Sequence, residues 1–161
     1  MTGAKALGPR IGKYNDDGSV NAIPGHSLPL ACLGMFILWF GWFGFNGGQT
    51  LSLTGEQTIL KAASIFFTTN IAAAAGTTAM VTTWIRYGKP DVSMTLDGSL
   101  AALVAITAGC DVVSVPGAFV IGALAGIVTV FLIEFIARNC ASTTRSGPLP
   151  LTAAAVPWGP S

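Results

Sequence analysis

The sequence predicts an all-α integral membrane fold with about four transmembrane helices, and three observations carry that prediction. Hydrophobic residues make up 52% of the 161 residues against 9% charged, and the mean hydropathy is +0.65. That is too little charge to cover a water-soluble surface. The apolar residues gather into runs long enough to approach or exceed a bilayer core of about 30 Å. Short polar stretches that carry most of the charge separate these runs. The net charge of +1 comes without the clustered Lys and Arg that phosphate binding requires, which argues against nucleic acid as a partner. Cys32, Cys110 and Cys140 are odd in number, far apart and without CxxC spacing, so they read as packing residues rather than metal ligands.

Residues 1–26 read as a cytoplasmic N-terminal segment. Met1 to Asn21 has no apolar stretch and is not a cleavable signal peptide. The first membrane segment, Ser27 to Gly48, has 22 residues without a charge, about 33 Å of helix. At 100° per residue Gly34, Gly41, Gly44 and Gly48 share one face, Leu38, Trp42, Phe45 and Gln49 form the stripe beside it, and Phe36, Trp39, Phe40 and Phe43 lie opposite. Glycines permit close helix approach, so the Leu38/Trp42/Phe45 stripe is expected at the edge of an interhelical cleft. The opposite aromatics are expected to face lipid or a neighbour.

The second segment is uncharged from Ala62 to Ile85 and reads as one tilted span rich in Ala, Thr and Gly. Asn70 is its one amide and reads as interhelical glue. The third segment, Gly98 to Cys110, has 13 uncharged residues between Asp97 and Asp111. It is short for a span unless Asp97 sits at the interface or in a polar cleft. Pro116 breaks the run, and the fourth segment continues from Ala118 through Ile133 to Ile136, with Gly117, Gly122 and Gly126 suited to tight packing.

Basic residues set the orientation. With a cytoplasmic N-terminus, Lys5, Arg10, Lys13, Arg86, Lys89, Arg138 and Arg145 lie inside and Lys61 lies near the outer face. The chain is then a multi-pass protein of the cell membrane, with the 49–56 and 111–114 loops outward. No paired carboxylates, Ser/His/Asp set or phosphate-binding glycine loop indicates an enzyme, and no cofactor is expected.

Several blocks carry a family resemblance: Leu7 to Gly12, Ile23 to Leu30, Trp39 to Asn46, Thr69 to Gly76, Lys89 to Asp91 and Ala105 to Cys110. Together, in this order, they resemble the middle of an ammonium transporter of the Amt/Rh family, over residues 27–138 of the membrane region and from about Leu7 overall. The resemblance implies helices six to nine of an eleven-helix subunit, a homotrimer in the complete protein, a hydrophobic pore in each subunit and a cytoplasmic PII-type regulator as partner. By it, Phe45 matches the inner of two phenylalanines gating the outer mouth, and Trp42 and Leu38 match pore-lining positions below. Aromatic faces attract ammonium, while a hydrated sodium ion loses too much on shedding water. A dry Leu/Trp lining then favours ammonia.

Two positions depart from the family pattern. Gln49 stands where members often carry a serine near the outer recruitment site, and its amide could still accept a hydrogen bond from the ion. Asp97 replaces the Asn of a usual Leu-Asn-Gly. The family's two mid-membrane histidines are absent from this sequence, and His26, at the cytoplasmic start of the first helix, is expected to be structural. The resemblance therefore implies ammonium transport by a truncated member that is inactive alone. Two alternatives are a non-transporting membrane partner of full-length subunits and an ammonium sensor. The pattern stops after Arg138, and the Ala/Pro/Arg/Gly bias of residues 139–161 fits GC-rich codons read out of register. A frameshift near Asn139 and a disordered 139–161 tail are expected.

Overall fold

A computed structural model describes residues 11–12, 26–51 and 54–143, with side chains to Ile136. All regular structure among the described residues is helical: α1 (Leu28–Gly47, followed by the 3-10 turn Gly48–Thr50), α2 (Glu56–Ala75), α3 (Thr78–Tyr87), α4 (Val92–Thr107) and α5 (Val115–Thr143). Among the described residues three stretches are long and apolar enough to cross a membrane: Leu28–Thr50, Glu56–Tyr87 and Val115–Ile136. Helix α4 is a shorter apolar helix, about 24 Å at 1.5 Å per residue. The 1–26 segment and the tail expected to be frameshifted fall largely outside the described residues, but α5 runs to Thr143, past the expected end of the membrane region at 138 and into the stretch expected to be disordered.

Each helix starts on a local signal. The Ser27 hydroxyl accepts a hydrogen bond from the Leu30 N–H at 3.4 Å, with Pro29 in the first turn where no donor is needed. The Asp91 carboxylate accepts one from the Met94 N–H at 2.9 Å, so α4 starts at Val92 rather than at Gly98. This corrects the expected third segment, because the cap lies upstream of the charge that seemed to bound the run. Asp97 is inside the helix. Pro116 likewise opens α5 instead of interrupting it, since the first turn tolerates proline.

Residues 27–130 form the first of two packed units. In the second, whose described residues are 11–12, His26 and the α5 residues from Phe131, the Phe131, Leu132 and Phe135 side chains are exposed. Within the first unit α2 packs on α1 and α4, and α3 packs on α4. Ile65, Ala72, Ile106, Cys110 and Ala118 join α2, α4 and α5 in one cluster. Met35, Ala73 and Leu103 join α1, α2 and α4 in another, with Trp39, Trp42, Leu96 and Leu100 against it. Lys61 and Asp111 pair at 3.2 Å, fixing the start of α2 beside the turn that follows α4.

Two packing expectations differ from the structure. The second span is broken at Gly76–Thr77 into α2 and α3. Its small residues serve a close crossing there: a Cβ on Gly76 would lie 2.6 Å from the Gly98 carbonyl oxygen, and one on Gly126 would lie 2.5 Å from the Gly76 carbonyl oxygen. A Cβ on Gly122 would meet the Ala72 carbonyl. Gly34, Gly41 and Gly44 on α1 and Gly48 in the turn after it have open space where a Cβ would stand, so the predicted glycine face is not the packed one among the described residues. The packed side holds Met35, Asn46 and Gly47, with the Phe66 ring lying over Gly47 and meeting Phe43 edge to face at 5.9 Å. Aromatic contact area and the hydrogen-bonding need of Asn46 select that side over the smooth one.

Candidate functional site

Where the C-terminal ends of α1 and α4 meet, an open cleft of about 590 Å³ is lined by Trp42, Phe45, Gln49, Val104, Thr107 and Ala108. Three of the four residues marked in the sequence, Trp42, Phe45 and Gln49, are brought together here. Leu38 lies deeper along α1, half-exposed, and is outside this lining. The cleft is predominantly aromatic and aliphatic, with Gln49 and Thr107 supplying polar groups.

Trp42 is held from both sides. Its indole N–H donates to the Thr107 hydroxyl oxygen at 2.9 Å, and that hydroxyl donates to the Leu103 carbonyl at 2.8 Å. The ring also packs on the Met35/Ala73/Leu103 cluster. Its ring centroid stands 5.8 Å from that of Phe45 at 50°. Phe45 remains 65% exposed, leaving much of its surface free for a neighbour or a ligand.

Both ends of the Gln49 amide engage the far end of α4. Its Nε2 donates to the Thr107 carbonyl at 3.2 Å, and its Oε1 accepts from the Cys110 thiol at 3.6 Å. The Cys110 carbonyl in turn accepts from the Thr68 hydroxyl at 3.0 Å. The turn after α4 is thereby tied to both α1 and α2. One turn below Gln49, Asn46 is fully buried and its Nδ2 donates to the Thr69 hydroxyl at 3.0 Å. His26 stands exposed just before α1. Among the described residues no three His, Cys, Asp or Glu side chains gather as a metal site.

Thr107, Val104 and Ala108 were not singled out from the sequence. A threonine in an apolar helix bonds its own preceding turn by default, as Thr107 also does, so its second bond to Trp42 leaves no local signature. The available signal was the indole N–H itself, which needs an acceptor when it packs among apolar groups.

The chain is similar to known proteins in both sequence and fold. The sequence model of the Ammonium Transporter Family matches residues 1–141. Ammonium transporter Amt2 of Archaeoglobus fulgidus is 55% identical over 126 residues, covering 78% of this chain and 26% of that protein. Ammonium transporter Amt1 of Methanocaldococcus jannaschii is 41% identical over 136 residues, covering 84% and 33%. A solved structure named Sensor Amt Protein superposes with a TM-score of 0.77 at 41% identity, covering 84% of this chain and 33% of that one. The chain spans about a quarter to a third of the length of these relatives. With the family match running through every helix of the bundle, this multi-helix membrane chain belongs to the ammonium transporter family.

Proposed function

We propose that α1 and α4 form one wall of a path for ammonium or ammonia, with Trp42 and Phe45 at its outer mouth, Gln49 at the rim and Leu38 deeper along α1. The observation that carries this reading is the cleft itself, in which a fixed indole and a largely exposed phenyl ring converge beside very few polar groups. Aromatic faces attract a small cation by about 0.5–2 kcal/mol, most when water is displaced. An apolar lining below the mouth penalises an ion that must shed its hydration and favours the neutral amine.

A chimera tests the path directly. Residues 27–130 replace the matching stretch of the Archaeoglobus fulgidus Amt2 protein, and uptake of radiolabelled methylammonium is followed in cells. Uptake is expected, and Trp42→Ala or Phe45→Ala in the chimera should lower it about tenfold, the kinetic equivalent of about 1.4 kcal/mol. Undiminished uptake by both variants would sink the assignment. In liposomes the chain by itself is expected to give no ammonium flux above empty vesicles, because the cleft is open along its Phe45 side. Flux abolished by Phe45→Ala would show instead that copies of the chain close a pore.

The same reading sets the orientation. Single cysteines replacing Glu56 and Lys89, in a background without Cys32, Cys110 and Cys140, should label from opposite sides. Glu56 is expected to react with an impermeant reagent from outside and Lys89 only after permeabilisation. The reverse pattern inverts the topology.

A further inference from the structure

Gln49 is exposed at the cleft, yet both ends of its amide are engaged within the fold. Its Nε2 donates to the Thr107 carbonyl at 3.2 Å. The Cys110 thiol stands 3.5 Å from that same carbonyl and 3.6 Å from the Gln49 Oε1, so its one hydrogen is shared between the two oxygens. Thr107, Gln49 and Cys110 close a ring of three contacts around the end of α4. Carbonyls in the last turn of a helix have no partner inside that helix, and here the turn that follows α1 supplies one. The ring is anchored on α2 as well. Cys110 is 1% exposed, its carbonyl accepts from the Thr68 hydroxyl at 3.0 Å, and the next residue, Asp111, pairs with Lys61 at 3.2 Å.

Thr107 joins this ring to the aromatic side of the cleft. Its carbonyl holds Gln49, and its hydroxyl accepts the Trp42 indole N–H at 2.9 Å. Trp42 and Gln49 are seven residues apart, about two helical turns, so they point nearly the same way. The α1 segment therefore grips a single residue of α4 at two points. Phe45 lies between them, in ring contact with Trp42 and 65% exposed. The backbone that carries Phe45 is clamped on either side, and its ring is left open to the cleft.

We propose that Gln49 is a positioning residue of the path, a two-ended strap that with Cys110 fixes Thr107 and, through it, the Trp42 indole, rather than a ligand of the passing ion. An amide suits this role because it donates at one end and accepts at the other, which matches a carbonyl on one side and a thiol on the other. The assignment rests on the proposed path, since the mouth that the strap holds is the one formed by Trp42 and Phe45.

Two measurements test it. In proton–nitrogen NMR of the full chain in detergent micelles, the Trp42 indole N–H is the resonance that Trp42→Phe removes. It should move in Gln49→Met, which keeps the length of the side chain and loses both bonds, and in Cys110→Ala, and move less in Cys110→Ser, which keeps a donor. In the chimera, methylammonium uptake is followed over a range of concentrations and normalised to the protein in the membrane. Gln49→Met should lower the maximal rate about threefold and leave the half-saturating concentration within about twofold, whereas loss of a ligand would raise that concentration at a kept maximal rate. An unmoved resonance in Gln49→Met, equal shifts in Cys110→Ala and Cys110→Ser, an unchanged maximal rate, or a half-saturating concentration raised beyond that range would overturn the proposal. The strap and the path fail separately. A resonance that moves while Trp42→Ala and Phe45→Ala leave uptake undiminished removes the path, and uptake that falls in those two variants beside an unmoved resonance removes the strap.

Discussion

Gly98→Leu should prevent α3, α4 and α5 from packing, lowering the stability of the chain in mixed micelles by about 3 kcal/mol or more, the upper range for overpacked cores. A Cβ at Gly98 would stand 2.5 Å from the Ala79 Cβ, 2.7 Å from the Gly76 carbonyl oxygen and 3.5 Å from the Gly126 Cα. Two of these three neighbours are backbone and cannot rotate away. Gly98→Ala is the smaller version of the same insult. Adding Ala79→Gly to Gly98→Ala removes one of the two short contacts and should recover part of the loss, whereas the Gly76 carbonyl keeps the rest. Reversible unfolding by sodium dodecyl sulfate, read by circular dichroism, measures all three variants. If Gly98→Leu unfolds at the wild-type detergent fraction, the close crossing does not hold the bundle together.

That crossing marks the limit of what the sequence could say. The spans were legible because apolar runs are a local signal, and the structure starts α1 one residue into the first run, whereas Pro116, expected to break the last run, opens α5. The break at Gly76–Thr77 was not, because it follows from how near the Gly76 backbone comes to Gly98 and Gly126, two segments distant in sequence. Periodicity also gave the faces of α1 without ranking them. Four glycines suggested a contact face, yet the helix turns Gly47 and Asn46 inward, where Phe66 and Thr69 meet them. The cleft survived this error because Trp42, Phe45 and Gln49 lie on a stripe whose mutual adjacency depends only on helical phase. Its other wall was illegible, since no local pattern in α4 says that Thr107 stands opposite Trp42.

Trp42→Ala should destabilise the chain by about 2 kcal/mol, and the estimate follows from dividing its two attachments. In a soluble core, truncating a Trp costs about 3–5 kcal/mol, but lipid replaces water as the reference here and the transfer part falls away, leaving lost packing. Packing against Met35, Ala73 and Leu103 is therefore the larger share. The indole bond to Thr107 adds about 0.6 kcal/mol, with about 1.7 kcal/mol the most measured for such bonds in a membrane protein. Trp42→Phe removes the donor while the Thr107 hydroxyl keeps the Leu103 carbonyl as its acceptor, so nothing is stranded. Thr107→Val strands the indole N–H and should cost more than Trp42→Phe, because an unmet donor carries its own desolvation penalty. The double variant Trp42→Phe/Thr107→Val should then be no less stable than Thr107→Val alone. Strict additivity of the two losses in detergent unfolding would show that the 2.9 Å bond contributes nothing, and that Trp42 is placed by packing without help from α4's last turn.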